Sequence, residues 1–94
     1  MRLTQNEVQL LKEKLAILSK EAKLYLFGSR IDDSKRGGDI DLFVVSTKLT
    51  KKDLRHLRLA FFKVFGEQKL DILLDDGNFI NPFHKMIAQK AVLL

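Results

Sequence analysis

Two strand-like runs with little chain between them most restrict the folds open to this sequence. The runs are KLYLF at 23–27 and DIDLFVV at 39–45, both apolar or aromatic. The segment that joins them, GSRIDDSKRGG, is polar and rich in glycine, which indicates a loop. A parallel crossover needs about a dozen residues or more, usually as a helix, so this loop leaves no room for one. A third strand is predicted at 69–74, KLDILL, and we expect a mixed rather than a wholly parallel sheet.

Two helices are predicted before and between these strands. A capping box of Thr4 and Glu7 starts the first helix, which we expect to end near 19–20. The same start signal follows Thr50, and Gly66 is the natural end of this second helix. The side chains that continue its apolar spacing are Leu54, Leu57, Phe61, Val64 and Phe65.

A third helix is predicted near the end of the chain. Asn81 precedes Pro82, a residue favoured at the first helical position, and the helical pattern continues to about Lys90. The final AVLL is expected to be a tail or a short edge strand. This order of elements predicts an α/β fold of the α+β type, with a small mixed sheet of three to four strands packed by helices, in a single domain over 1–94.

Composition and charge limit the functional classes. With 46% hydrophobic and 31% charged residues the chain is typical of a globular protein, and the absence of cysteine excludes a disulfide framework and thiolate metal sites. No secretory signal or run of about 20 apolar residues is present, so we expect a soluble cytoplasmic protein without a membrane segment. The net charge of +5 favours polyanions, among them nucleoside triphosphates, RNA, DNA and acidic protein surfaces.

Two aspartates in the second strand are candidates for a metal site. Strand residues alternate between faces, so Asp39 and Asp41 are expected to point the same way. The residues expected to point into the other layer are Ile40, Leu42 and Val44. Two carboxylates at ~4 Å in an effective dielectric of ~20 repel by about 4 kcal/mol. The pair therefore needs a cation, a shared proton or wide exposure to water, and a divalent metal would satisfy it.

Asp71 is the third candidate, because it interrupts an apolar strand between Leu70 and Ile72. If its strand lies beside the second strand, Asp71 can join the pair in an oxygen-ligand site suited to magnesium. The alternative is an exposed carboxylate on an edge strand. Gly28 and Ser29 follow the first strand directly, where they form either a plain turn or a cradle for phosphate.

Taken together, LYLFGSRIDDSKRGGDIDLFVV resembles the GS-x-spacer-D-x-D signature of the DNA polymerase beta-like nucleotidyltransferases. The short chain, GSR and GGDIDL resemble the minimal nucleotidyltransferase branch, which is often the antitoxin beside a HEPN-domain toxin. The resemblance implies the nucleotidyltransferase fold, with Asp39 and Asp41 holding one or two Mg²⁺ ions against the triphosphate of ATP. It also implies that Asp71 joins the metal site and helps to deprotonate the attacking hydroxyl, which in the antitoxin branch is a tyrosine of the toxin.

Other functions and less specific residues stay open at this stage. The chain could instead neutralise a HEPN partner by contact alone, or act without a partner on a small compound or an RNA end. Arg30, like Lys35 and Arg36 in the same loop, could contact the nucleotide or be solvated. The basic residues of the second helix are interpreted as a solvated face, and neither His56 nor His84 is proposed as a metal ligand. Assembly into a homo- or hetero-oligomer stays open, and direct binding of nucleic acid is not expected.

Overall fold

The computed structural model of the chain describes residues 3–31 and 39–94, except for the side chain of Ser29. Within these ranges the helices are α1 (Gln5–Leu18), α2 (Lys51–Phe65) and α3 (Pro82–Lys90). The strands are β1 (Lys23–Phe27), β2 (Ile40–Val45), β3 (Leu70–Asp75) and β4 (Val92–Leu93), and a 3₁₀ turn, Gly28–Ile31, follows β1. In these parts of the chain, no helix is both long enough and apolar enough to span a bilayer.

The four strands form one sheet in the order β3-β2-β1-β4. β1 pairs with β2 and with β4 in antiparallel orientation, whereas β2 and β3 run parallel. The sheet is therefore mixed, as predicted, and the final AVLL segment contributes the short edge strand. The parallel neighbours β2 and β3 are the strands that carry the candidate aspartates.

Helices α1 and α2 pack on one face of the sheet. Their buried side chains belong to the same apolar cluster as every second residue of the central strands. The members of this cluster with no exposed surface are Leu11, Leu26, Ile40, Leu42, Val44 and Phe61. Both predicted capping boxes are present, because Thr4 and Thr50 each accept a hydrogen bond from the backbone of the third helical residue. These caps satisfy N–H groups that would otherwise lack partners at the helix starts.

The observed ends of α1, β2 and β3 differ from the predicted ends by one or two residues. β2 begins at Ile40 instead of Asp39, and β3 is Leu70–Asp75 instead of 69–74. α1 ends at Leu18, with Ser19 as its C-cap. The prediction that Val64 faces the core is wrong, because this side chain is 62% exposed. In the last turn of α2 the apolar stripe is wider than the core on which the helix packs.

The second face of the sheet is covered in part by α3 and the loop before it. Phe43 points away from α1 and α2, yet it has no exposed surface. Its ring lies 5.4 Å from that of His84 and 6.2 Å from that of Phe79. His84 Nδ1 lies 2.8 Å from an Asp75 carboxylate oxygen, in a largely buried pair. This contact fastens the start of α3 to the C-terminal end of β3.

Candidate active site

The parallel pairing of β2 with β3 brings the three candidate aspartates together. Asp41 lies directly opposite Asp71 in the register, and Asp39 immediately precedes β2. One carboxylate oxygen from each of the three lies within 4.8 Å of the others. The register accounts for the proximity of Asp41 and Asp71, and the alternation of strand residues places Asp39 on the same side as Asp41. The three side chains form the acidic cluster, and their function as metal ligands stays a prediction.

The acidic cluster brings three carboxylates close together, and they differ in exposure. Asp71 is exposed, whereas Asp39 and Asp41 are half-buried. Burial, followed by the charges of Asp71 and Asp39, raises the pKa of Asp41 above its ordinary value. Three converging oxygen donors with excess negative charge are the ligand set that magnesium binds, so the residues present fit this ion.

Gly28 connects the turn after β1 to the acidic cluster. Its φ is +81°, a conformation that side-chain-bearing residues rarely adopt. A Cβ at this position would collide with a carboxylate oxygen of Asp41 and lie 3.1 Å from its carboxyl carbon. The 3₁₀ turn that Gly28 begins packs against β1 and β2. The glycine-serine turn and the paired aspartates, separate in sequence, are therefore in direct contact.

The other predicted phosphate-binding residues lie in or near this turn. The backbone of Ser29 belongs to the turn, but its side chain lies outside the described residues. Arg30 is half-buried in the same turn. Lys35 and Arg36 also lie outside the described residues. Contact of these residues with nucleotide stays a prediction.

Lys69 is a site residue that the sequence reasoning missed. It immediately precedes β3, and its Nζ lies 3.2 Å from an Asp39 carboxylate oxygen. The hydrogen bond to Asp39, and then the charges of Asp39 and Asp71, raise the pKa of Lys69 above its ordinary value. The sequence does contain a signal for Lys69. Residues 69 and 71 share a face of the strand by the same alternation that places Asp39 beside Asp41.

One residue of the basic run on α2 is not simply solvated. Lys51, Lys52, Arg55 and Lys63 are exposed, in keeping with the prediction. Arg58, however, is half-buried, and its Nε donates a hydrogen bond of 3.1 Å to the carbonyl of Leu70. This bond ties α2 to the start of β3, next to Asp71.

Comparison with known proteins agrees with this geometry. A family model described as a nucleotidyltransferase domain matches residues 8–93, which include every candidate site residue. No match was found among curated proteins.

Proposed function

Because this chain belongs to the nucleotidyltransferase domain family, we propose that it transfers AMP from ATP to a hydroxyl group in a magnesium-dependent reaction. The observation that carries the proposal is the convergence of Asp39, Asp41 and Asp71, with one oxygen from each inside 4.8 Å. Ionised carboxylates repel one another at that distance, so a site of this kind is suited to a cation. The choice of ATP rests on the resemblance to the antitoxin branch.

The residues that would hold one or two magnesium ions are Asp39, Asp41 and Asp71. Bound magnesium supplies Lewis-acid stabilisation of the charge that develops on the phosphate oxygens. The exposed Asp71 would accept the proton of the attacking hydroxyl. In the reaction, the acceptor oxygen bonds to the α-phosphorus, the bond from that phosphorus to the β-phosphate oxygen breaks, and pyrophosphate leaves.

The turn at Gly28 would position the nucleotide. With no side chain at Gly28, backbone N–H groups of the turn can approach a phosphate beside Asp41. Arg30 in the same turn would offset part of the phosphate charge. Together, the turn and the acidic cluster would hold the triphosphate between backbone donors and the metal-binding carboxylates.

For the acceptor we propose a tyrosine of a HEPN-domain toxin, with this chain as its cytoplasmic antitoxin. Support comes from the resemblance to the minimal branch and from the accessibility of the acidic cluster, where Asp71 is exposed. An acceptor on a partner surface can reach such an open site without entering a closed pocket. The partner would also supply the recognition surface that selects the hydroxyl.

Labelled ATP tests both the proposed transfer of AMP and the proposed tyrosine acceptor. The purified chain is incubated with Mg²⁺, ATP labelled in the α-phosphate and a purified candidate HEPN-domain toxin. We expect label on a toxin tyrosine, and its loss in Asp39→Asn/Asp41→Asn. The matched control is Asp76→Asn, which removes an exposed carboxylate from the loop after β3 and should leave transfer intact. Thermal melting of each variant checks that it is folded.

The possible outcomes separate the three functions. If the wild-type chain transfers no label and the double variant still neutralises the toxin in cells, the chain acts by contact alone. Label on RNA or a small hydroxyl compound without the toxin would retain the transferase and replace the acceptor. If no acceptor is labelled and no pyrophosphate is released, the transferase proposal is wrong.

A further inference from the structure

The ion pair between Lys69 and Asp39 places a positive charge inside the acidic cluster. Lys69 Nζ lies 3.2 Å from an oxygen of Asp39, one of the three carboxylates that would hold magnesium. Lys69 thus compensates part of the charge that a metal ion would compensate. Lysine and metal ion compete for the same carboxylate.

The structure leaves Lys69 able to move. Its side chain is 71% exposed, and that of Asp39 is 37% exposed. Exposed ion pairs of this kind contribute little to stability, and a lysine has a flexible four-carbon stem. Displacing the ammonium group from Asp39 therefore requires no rearrangement of the core.

We propose that Lys69 is an exchangeable counter-cation, which pairs with Asp39 in the free chain and with a phosphate oxygen of the bound nucleotide. The proposal rests on the proposed function and adds a residue to it. In the free chain Lys69 weakens the binding of a metal ion that arrives alone. With a metal-bound nucleotide, the displaced ammonium gains a phosphate partner in place of Asp39.

Charge balance explains why Lys69 would have different partners in the free chain and in the nucleotide-bound chain. The three ionised carboxylates carry three negative charges, of which Lys69 offsets one and a divalent ion offsets two. These groups and one divalent ion together carry no net charge before nucleotide binds. A nucleoside triphosphate brings several further negative charges, and Lys69 is an available cation next to the cluster. The lysine thereby favours the metal-nucleotide complex over the metal ion alone.

This exchange predicts opposite effects of one substitution on two affinities. Lys69→Gln should tighten the binding of Mn²⁺ alone by about two- to fivefold, because an exposed competing ion pair is removed. The same variant should weaken the binding of an ATP analogue with a methylene bridge between its α- and β-phosphates by about tenfold, because a charge-assisted contact is lost. Lys69→Arg keeps the charge and should retain most of the affinity for the analogue.

Lys48→Gln is the matched control. Lys48 is 69% exposed and pairs with Glu21 at 3.8 Å, beyond the opposite end of β2 from Asp39. The substitution therefore removes the same charge from a lysine of similar exposure, in an ion pair away from the acidic cluster. Any effect that comes only from the lower net charge will appear equally in this variant.

Calorimetric titration with MnCl₂ alone, and with the analogue at saturating Mg²⁺, measures both affinities in the wild type and the three variants. Thermal melting in chelator confirms that each is folded. Opposite shifts in Lys69→Gln, absent from Lys48→Gln, support the exchange. Shifts in the same direction, or equal shifts in the control, overturn it while leaving the proposed function intact. A wild-type chain that binds neither Mn²⁺ nor the analogue would overturn both.

Discussion

At the scale of single residues, Gly28 belongs to two parts of the candidate site at once. It bends the chain out of β1 with a positive φ, and the space where its side chain would be is occupied by the carboxylate of Asp41. The first requirement concerns backbone conformation and the second concerns contact. The two can be separated by experiment, because Gly66 shares the first requirement without the second: its φ is +84°, and a Cβ there would meet nothing within 4 Å.

We predict that Gly28→Ala impairs metal binding as well as stability. The left-handed conformation costs a residue with a side chain about 1–2 kcal/mol, and the collision displaces the Asp41 carboxylate. Nucleotide transfer and the increase in melting temperature caused by Mn²⁺ should both be strongly reduced. Activity assays and thermal melting with and without Mn²⁺ measure these effects.

Gly66→Ala is the control for this prediction. With ψ at 166°, Gly66 adopts a backbone conformation that costs other residues about 1–3 kcal/mol, so the variant should lose about that free energy of unfolding and leave Mn²⁺ binding unchanged. If the two alanine variants lose stability and metal binding to the same degree, contact between Gly28 and Asp41 is not important for the site.

Asp41→Asn should stabilise the metal-free chain. Burial and neighbouring carboxylates raise the pKa of Asp41, so the folded state resists its ionisation. Stability is therefore lost as pH rises from the unfolded value of about 3.9 through the folded pKa. In chelator at neutral pH the variant should melt at a higher temperature than the wild type, and the difference should shrink towards acid pH. Glu13→Gln, at an exposed position on α1, should show no such gain. A lower melting temperature for Asp41→Asn would show that the charge of Asp41 is already compensated.

At the scale of elements, α3 depends on contacts at the C-terminal end of β3. Asp75 accepts hydrogen bonds from the backbone of Gly77 and Phe79 and from the ring of His84. Phe79 has φ +52°, and its ring packs near Phe43 on the second face of the sheet. A single carboxylate thus holds both the loop and the first turn of the helix.

We predict that Asp75→Ala lowers the free energy of unfolding by about 2–4 kcal/mol, since it leaves several polar groups without their acceptor. Burial by itself would raise the pKa of Asp75, but the hydrogen bonds from His84 and the loop backbone outweigh it and lower the pKa. The stabilisation is therefore present above the unfolded value of about 3.9 and lost as pH falls through the folded pKa.

Denaturant unfolding at several pH values measures this effect. Asp76→Ala, which removes an exposed carboxylate bonded to Asn78, should cost about 1 kcal/mol or less. The difference between Asp75→Ala and the wild type should be constant near neutral pH and diminish below about pH 4. Equal losses in the two variants would contradict the importance of the Asp75–His84 pair.

At the scale of the whole molecule, the parallel strands β2 and β3 have two chemically different ends. At one end Asp41 faces Asp71, and the exposed Lys69 pairs with Asp39. At the other end Asp75 faces Val45 and is enclosed by hydrogen bonds to its loop and to α3. One end stabilises the fold. The other keeps mutually repelling carboxylates, among which Asp71 is exposed and accessible to a cation.

The elements of the fold were largely predictable, because their signals are local. The capping boxes, the proline at the start of α3 and the alternation in β2 each act within a few residues, and the corresponding elements were confirmed. The predictions that failed concern side chains whose burial depends on contacts with residues distant in the chain. Val64 has the right helical spacing for burial but lacks a neighbour to cover it, and the contact of Arg58 with Leu70 joins residues that are far apart in the chain.

The sequence alone determined which residues could carry charge and which face of each strand they would occupy, since alternation is a property of the backbone. It could not show that Asp71 is exposed beside other carboxylates while Asp75, in the same strand, is enclosed by hydrogen bonds. Only the tertiary structure decided that difference. The pairing of β2 with β3, the contact of Gly28 with Asp41 and the position of α3 all depend on which distant residues meet, and electrostatic interactions depend on those distances.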